Sequence, residues 1–208
     1  MKAIILLIST LMIIKTVTSS SKWEALSYCG GLECPRFNLV QQLSENIEIR
    51  EYEDSNWVTV DMKGDKEQSR KSSFWSLFNY ISGKNIDNEK IEMSAPVLMK
   101  YSGKTPFTSE ETFGSMSFFL GYRFQEDRLA PKPTENGVSI NKLPSKKYAV
   151  IYYSGYSNEK YEIDNLQKLG TFLSGQGIKY VNDYYFYAGY DSPFKFWNRH
   201  NEKWIELI

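Results

Sequence analysis

Apolar residues recur along this chain with two different spacings, and each spacing predicts a different secondary structure. Apolar residues alternate with polar ones at 57–62 and form a continuous run at 148–153. Both patterns are typical of β-strands. Four others fall at i, i+3, i+4 and i+7, namely Phe74, Leu77, Phe78 and Ile81. That spacing predicts a helix with one buried stripe.

Both predicted helices carry signals at their ends. Asp65 with Gln68 forms a capping box for the first helix, and Gly83 suits the position just past its last turn. Ser157 is expected to cap the second helix, and Gly175 is expected to end it. The apolar stripe of this second helix consists of Ile163, Leu166, Leu169 and Leu173.

The two helices belong to two similar halves. Trp57 lies 26 positions before Gly83, and Tyr148 lies 27 positions before Gly175. Strand-like segments follow at 97–101, 115–122 and 183–190. A repeat of strand, strand, helix and strand indicates two matching layers around one core. We therefore expect an α+β fold, a distorted antiparallel β-barrel formed from a duplicated half and flanked by two α-helices.

The N-terminus has the layout of a secretory signal peptide. Lys2 precedes an apolar run at 3–14, and small residues follow at 16–21. The run is too short to span a membrane, and no later run reaches spanning length. We expect residues 1–20 to be removed and the remaining chain to be secreted, with no membrane span.

Cys29 and Cys34 are the two cysteines of the chain. In an oxidising compartment such a pair predicts a disulfide, and Gly30 and Gly31 allow the short loop to bend. The C-x-x-C spacing of a redox pair is absent. We expect this disulfide to hold an N-terminal segment at 21–36, ahead of the main domain at 37–208.

Charge and composition narrow the functional classes. Without Lys2 and Lys15 the chain has 23 basic and 25 acidic residues, which gives no positive field for nucleic acid. A single histidine, His200, and the lack of a G-x-S-x-G motif argue against nucleophilic or zinc catalysis. The 15 Tyr, 12 Phe and 5 Trp exceed the usual needs of such a core, so we expect a minority to line an apolar groove for a flat ligand.

Four segments resemble the SOUL haem-binding protein family: I-E-I-R-E-Y at 47–52, F-N-Y-I-S-G-K-N at 78–85, I-E-M-S-A-P-V at 91–97 and A-G-Y-D-S-P-F-K-F-W-N-R-H-N-E-K-W at 188–204. Within the last segment, S-P-F-K and N-R-H-N-E resemble the haem-binding protein 2 branch. The resemblance extends from about Cys34 to the C-terminus. It implies a distorted barrel with two helices, a haem or porphyrin ligand, and no catalytic activity.

The resemblance also implies a ligand groove formed by the first helix and the loop after the A-G-Y strand. The corresponding positions here are Lys71, Phe74, Phe78 and Asn79 on the helix, and Tyr190 and Lys195 beyond it. Aromatic walls and lysines at the rim suit a flat apolar ring that bears two propionates. For Phe74 and Phe78, burial in the core remains the alternative, because both lie on the predicted inner stripe.

Iron ligation is not expected. Where one branch of the family has a histidine proposed to bind haem iron, this chain has Glu51, and a carboxylate is a poor substitute for imidazole. His200 is the remaining candidate, and we expect it to be solvated in a surface turn.

The sequence leaves three classes of function. The preferred one is a secreted, monomeric, non-enzymatic protein that binds haem or another tetrapyrrole. The alternative is a binding module for another hydrophobic ligand or a protein segment, with haem binding lost. The third, a hydrolase or isomerase that uses carboxylates in the groove, lacks a recognisable constellation of catalytic residues.

Overall fold

The computed structural model describes residues 26–63, 66–102, 112–125, 128–156 and 158–208. The predicted signal peptide and the predicted capping residues Asp65 and Ser157 lie outside these residues. Within them the chain forms nine strands and two long helices: β1 (Phe37–Ser44), β2 (Ile47–Tyr52), β3 (Ser55–Asp61), α1 (Lys66–Ile81), β4 (Val97–Ser102), β5 (Thr112–Phe119), β6 (Val138–Leu143), β7 (Lys146–Tyr153), α2 (Glu159–Gly175), β8 (Tyr184–Gly189) and β9 (Asn201–Glu206). Neither helix in the described part is long and apolar enough to cross a membrane.

All nine strands pair antiparallel in one curled, half-barrel sheet with the order β1-β2-β7-β9-β8-β4-β5-β3-β6. The segment β2–β3–α1–β4–β5 corresponds element by element to β6–β7–α2–β8–β9. When corresponding strands are exchanged and the sheet is read from its other edge, the strand order between β2 and β6 is the same. The halves pair with each other at β2–β7, β4–β8 and β3–β6. The central junction is β4–β8, which extends from Val97 opposite Gly189 to Ser102 opposite Tyr184. The predicted α+β class, the duplicated half and the distorted antiparallel barrel are therefore confirmed.

Both helices pack on the same face of the sheet, α1 against β3 and β5, and α2 against β7 and β9. Leu77 of α1 and the α2 residues Leu166, Leu169 and Leu173 are fully buried in the core that they share with the strands. Each such leucine stabilises the fold by roughly 2 kcal/mol through the apolar surface that it removes from water.

The inner stripe of α1 differs from the predicted one. Leu77 and Ile81 are buried as expected, but Phe74 is only half-buried and Phe78 is 37% exposed. Buried Ser73 continues the inner face instead, because residues four apart lie on one side of a helix. The prediction that Phe78 belongs to the buried stripe was wrong, and its ring is accessible from outside.

The end of α1 follows the glycine signal. Gly83 has a φ of 109°, a conformation that a side chain would strain. Its N–H donates to the Tyr80 carbonyl at 3.2 Å, and the Lys84 N–H donates to the Asn79 carbonyl at 3.0 Å. These are the two hydrogen bonds of a Schellman motif, which satisfy carbonyls at the helix end.

The N-cap of α2 and its glycine in the left-handed conformation lie one and two residues beyond the predicted positions. Asn158 is its N-cap and accepts a 2.9 Å hydrogen bond from the Tyr161 N–H, so the cap is one residue beyond the predicted Ser157. The helix does end at Gly175, but the residue in the left-handed conformation is Gly177, with a φ of 68°.

The second face of the sheet carries a separate apolar cluster, which is covered by the segment that precedes β1. Cys29 and Cys34 form the predicted disulfide there, and both are almost completely buried. Glu33 anchors the segment: its carbonyl accepts from the Ala95 N–H at 3.0 Å, and its carboxylate accepts from the Tyr122 N–H at 2.7 Å.

Candidate functional site

The outer side of α1 presents three aromatic rings in contact with one another. Phe74 and Phe78 stack with centroids 6.0 Å apart, and Trp75 meets Phe78 edge-on at 5.5 Å. Trp75 is 51% exposed and Phe78 is 37% exposed. Phe74, Trp75 and Phe78 therefore form an accessible apolar surface, which we call the α1 aromatic row.

Phe74 connects this row to the core, because its ring contacts the buried Phe118 of β5 at 5.4 Å. The α1 aromatic row is therefore fixed to the buried core of the domain. Rings held in this way lose little conformational freedom when a ligand binds, which favours binding.

Lys71 and Asn79 lie at the two ends of the α1 aromatic row. Lys71 is exposed and precedes Phe74 by three positions and Trp75 by four, so it lies one turn away on the same side of the helix. Asn79 is half-buried and follows Trp75 by four positions. The arrangement places a flat apolar surface next to an ammonium group, which can pair with a carboxylate.

Tyr190 is not part of this surface. The alternation along β8 directs Tyr187 to the helix side and Tyr190 to the opposite face. There it is 8% exposed, and its hydroxyl donates to Glu202 at 2.9 Å. The structure therefore does not bring Tyr190 together with the predicted α1 residues.

Glu202 is the centre of a buried polar cluster on that second face. Its carboxylate accepts hydrogen bonds from Arg50 Nη1 at 2.9 Å and from Trp204 Nε1 at 2.6 Å, as well as from Tyr190. Burial alone would raise the pKa of this carboxyl, but the Arg50 charge and the hydrogen bonds outweigh it and lower the pKa to about 2. Glu202 is therefore an ionised anchor that neutralises Arg50.

His200 belongs to the same cluster, and the expectation of a solvated histidine was wrong. Its side chain is 15% exposed, and Nε2 lies 2.7 Å from Glu202 Oε1. The Tyr28 ring stacks on the imidazole at 3.9 Å. The register of β9 explains this position, because His200 immediately precedes the strand and lies two residues from Glu202, on the same face.

The loop between β8 and β9 contains the predicted Lys195, whose ammonium pairs with Asp191 at 2.6 Å. Arg199 braces the loop from inside, donating to the carbonyls of Ser192 at 2.6 Å and of Lys195 at 2.8 Å. The loop presents three largely exposed aromatic side chains: Phe194, Phe196 and Trp197. Lys195 is thus placed beside an aromatic surface of its own.

The α1 aromatic row and Lys71 could hold the ring and the propionates of a haem group, and the one imidazole of the chain lies on the other face of the sheet. The imidazole of His200 is already hydrogen-bonded and stacked, and both cysteines are in the disulfide. Glu51 lies in β2 opposite Lys147 of β7 and offers no imidazole. In the described part of the chain no group of three His, Cys, Asp or Glu residues could hold a metal ion.

Sequence reasoning missed two features of these surfaces. Trp75 was not among the expected ligand residues, although it lies three positions before Phe78 and four after Lys71. The cluster around Glu202 was missed because Arg50 and Glu202 are 152 residues apart, and nothing local to either one indicates the other.

Comparison with known proteins agrees with this architecture. The family model "SOUL heme-binding protein" matches residues 32–206. Heme-binding protein 2 of Homo sapiens is 33% identical over 162 residues, which cover 77% of each chain. Heme-binding protein 1 of Xenopus laevis is 28% identical over 183 residues, 86% of this chain and 94% of its own. The chain belongs to the SOUL heme-binding protein family.

A solved structure shares this fold. The C-terminal domain of EcmrR superposes with a TM-score of 0.55 over 78% of this chain and 96% of its own, at 9% sequence identity. At that identity the likeness concerns the fold alone.

Proposed function

We propose that this member of the SOUL family is a secreted, non-enzymatic protein that binds haem or another tetrapyrrole in a shallow apolar groove along the α1 aromatic row. The exposure of Trp75 and Phe78 on a rigid helix is the observation that carries the proposal. A flat macrocycle laid on these rings would bury apolar surface on both partners, which is the main source of binding free energy.

Charge supports the same ligand class. The Lys71 ammonium is one helical turn from the aromatic rings and can pair with a propionate. Such a pair is exposed to solvent, so it contributes about 1 kcal/mol or less and is weakened by salt. Apolar contact therefore supplies most of the affinity, and Lys71 orients the macrocycle.

The metal has a minor role in this proposal. The single histidine of the chain is engaged with Glu202 and Tyr28 on the opposite face of the sheet. When haem binds, the Soret absorbance of its porphyrin ring reports on binding, while the chain holds the ring and the propionates. Metal-free protoporphyrin is expected to bind by the same contacts.

Family membership and the disulfide support the remaining parts of the proposal. The relatives carry the name Heme-binding protein, which indicates the ligand class. The Cys29–Cys34 disulfide is typical of an exported protein, and it agrees with the signal-peptide layout at 1–20. We further propose that the mature chain is a monomer.

Titration of the mature protein with hemin and with metal-free protoporphyrin tests this function. Both should bind saturably, with affinities within about tenfold, a gap of about 1.4 kcal/mol. Tryptophan quenching follows both ligands, and a Trp75→Phe variant should bind similarly while losing part of the quenching. Saturable binding of hemin alone would show that the iron dominates, and binding of neither would contradict the proposal.

One observation favours the alternative, a binding module for another hydrophobic ligand or a protein segment. Phe194, Phe196 and Trp197 are 82%, 67% and 74% exposed, more than Trp75 or Phe78. Aromatic side chains are common anchors at protein interfaces. If neither porphyrin binds, this loop is the surface on which to search for a partner.

A further inference from the structure

The β8–β9 hairpin ends in a loop at 191–199 that presents aromatic side chains to solvent. Tyr190, the last residue before the loop, donates its N–H to the His200 carbonyl at 3.4 Å, which continues the pairing of β8 with β9. Three rings of the loop are 82%, 67% and 74% exposed, those of Phe194, Phe196 and Trp197. They are therefore carried beyond the end of the paired strands, largely free of the protein's own surface.

These three rings form a large apolar surface for a single loop. An aromatic side chain has about 150–250 Å² of surface, so the exposed parts of the three together amount to roughly 350–550 Å². Monomeric proteins rarely expose an apolar patch above a few hundred Å² unless the patch has a function. A stable protein–protein interface takes about 800 Å² from each partner. The area is small for a folded protein partner or a second copy, but it suits a lipid surface, whose molecules rearrange around an inserted side chain.

The loop satisfies several of its own backbone groups, which lowers the cost of leaving water. The Arg199 guanidinium donates to three of its carbonyls, at 3.3, 2.6 and 2.8 Å: those of Asp191, Ser192 and Lys195. The Lys195 N–H donates to the Ser192 carbonyl at 3.0 Å. Backbone groups without a partner are costly in an apolar medium, so these hydrogen bonds favour partial immersion of the loop in lipid.

The charges of the loop also suit a phospholipid layer. Lys195 and Arg199 are positive and Asp191 is negative, so residues 191–199 carry one net positive charge. The Lys195 ammonium pairs with Asp191 at 2.6 Å, and 40% of the lysine side chain remains exposed. Lipid phosphates lie at the boundary of the apolar region, so rings that enter this boundary would bring both cations close to phosphates.

We propose that the loop at 191–199 docks the protein on phospholipid membranes, with Phe194, Phe196 and Trp197 at the boundary between headgroups and acyl chains. Aromatic side chains favour this boundary, because their apolar bodies are buried there while their polar edges stay wet. Arg199 holds the loop in shape, so little conformational freedom is lost on docking. The attachment is peripheral and reversible.

Docking does not depend on tetrapyrrole binding, because it uses the β8–β9 loop and not the α1 aromatic row. The ligand-free protein is therefore the right material for the test, and either proposal can fail without the other.

Flotation of the ligand-free mature protein with vesicles tests docking. The protein should bind vesicles of phosphatidylcholine alone, and added phosphatidylserine should strengthen binding only severalfold at low salt, because one net charge is involved. The Phe194→Ser, Trp197→Ser double variant should partition at least about tenfold more weakly, because it loses apolar contact with lipid. The matched control is Ile86→Ser, Leu129→Ser, which removes two exposed apolar side chains elsewhere and should bind unchanged.

Lipids brominated on their acyl chains locate the inserted residue, because bromine quenches only the tryptophans that reach the acyl region. Trp197→Phe should keep vesicle binding and lose most of the quenching, whereas Trp75→Phe, which removes the exposed tryptophan of α1, should retain it. The proposal would be overturned by a lack of binding to phosphatidylcholine vesicles, by unchanged binding of the Phe194→Ser, Trp197→Ser variant, or by quenching that survives in Trp197→Phe.

Discussion

The rings of Tyr28 and His200 stack with their centroids 3.9 Å apart and their planes 10° apart. Tyr28 belongs to the N-terminal disulfide segment, and His200 lies just before β9. Because His200 also bonds to Glu202, the stack places the N-terminal segment over a fully buried carboxylate. The second face of the sheet is thereby closed by an element that precedes the repeated halves.

The lowered pKa of Glu202 predicts a loss of stability in acid. Its ordinary pKa of 4.5 falls to about 2 in the folded protein, so the unfolded chain takes up the proton first as the pH falls. The contribution of Glu202, up to about 3 kcal/mol, is complete above pH 4.5 and should decline between about pH 4.5 and 2. Urea unfolding over this range should show the decline, and Glu202→Gln should reduce the slope.

The disulfide segment gives a prediction for the secreted protein. From a secreting host, intact mass should show a start between about Ser19 and Lys22 and a mass that rises by two hydrogens on reduction. Reduction should cost about 2 kcal/mol of unfolding free energy at most. A Cys29→Ser, Cys34→Ser variant should be insensitive to reductant. A retained Met1, or thiols that alkylate without reduction, would contradict the prediction.

Leu77 and Lys71 lie on opposite sides of α1 and should respond differently to the same substitution. Leu77 has no exposed surface, so Leu77→Asp would place an unpaired charge in the core and should cost several kcal/mol. Lys71→Asp changes an exposed residue and should leave the melting temperature nearly unchanged. Equal melting temperatures for the two variants would show that the wrong side of α1 has been assigned to the core.

Glu162 joins the two halves on the helix side. Its carboxylate lies 3.0 Å from the ammonium of Lys203, which is fully buried, and 3.5 Å from Arg70 of α1. Glu162→Gln would remove the carboxylate that lies beside the buried ammonium of Lys203 and should cost about 3 kcal/mol. The matched control is Asp164→Asn, which breaks an exposed pair with Lys160 and should cost under about 0.5 kcal/mol.

The fold could be predicted from the sequence because its signals are local and repeated. The spacing of Leu166, Leu169 and Leu173, the glycine after α1 and the recurrence of strand, helix and strand depend on neighbours within about 30 residues. These signals determine secondary structure and the number of layers. They were sufficient to identify two helices on one antiparallel sheet.

The placement of the candidate site was harder to predict because it depends on which side of an element faces the sheet. Phe78 fits a buried stripe by spacing, but α1 is rotated so that Ser73 takes the inner position. Tyr190 follows the expected motif, yet strand alternation sends it to the opposite face. His200 sits in a polar segment, and only pairing of distant strands brings it to Glu202 and Tyr28.

The central claim is that the α1 aromatic row holds a tetrapyrrole, and one comparison of protoporphyrin affinities tests it most directly. The Trp75→Ser, Phe78→Ser double variant removes the exposed rings, whereas Leu129→Ser removes an exposed apolar side chain elsewhere, one that is 92% exposed. Circular dichroism should first show that both variants retain their helices. The account predicts at least a tenfold loss of affinity in the double variant and no change in the control. A double variant that binds protoporphyrin as tightly as the unchanged protein would contradict it.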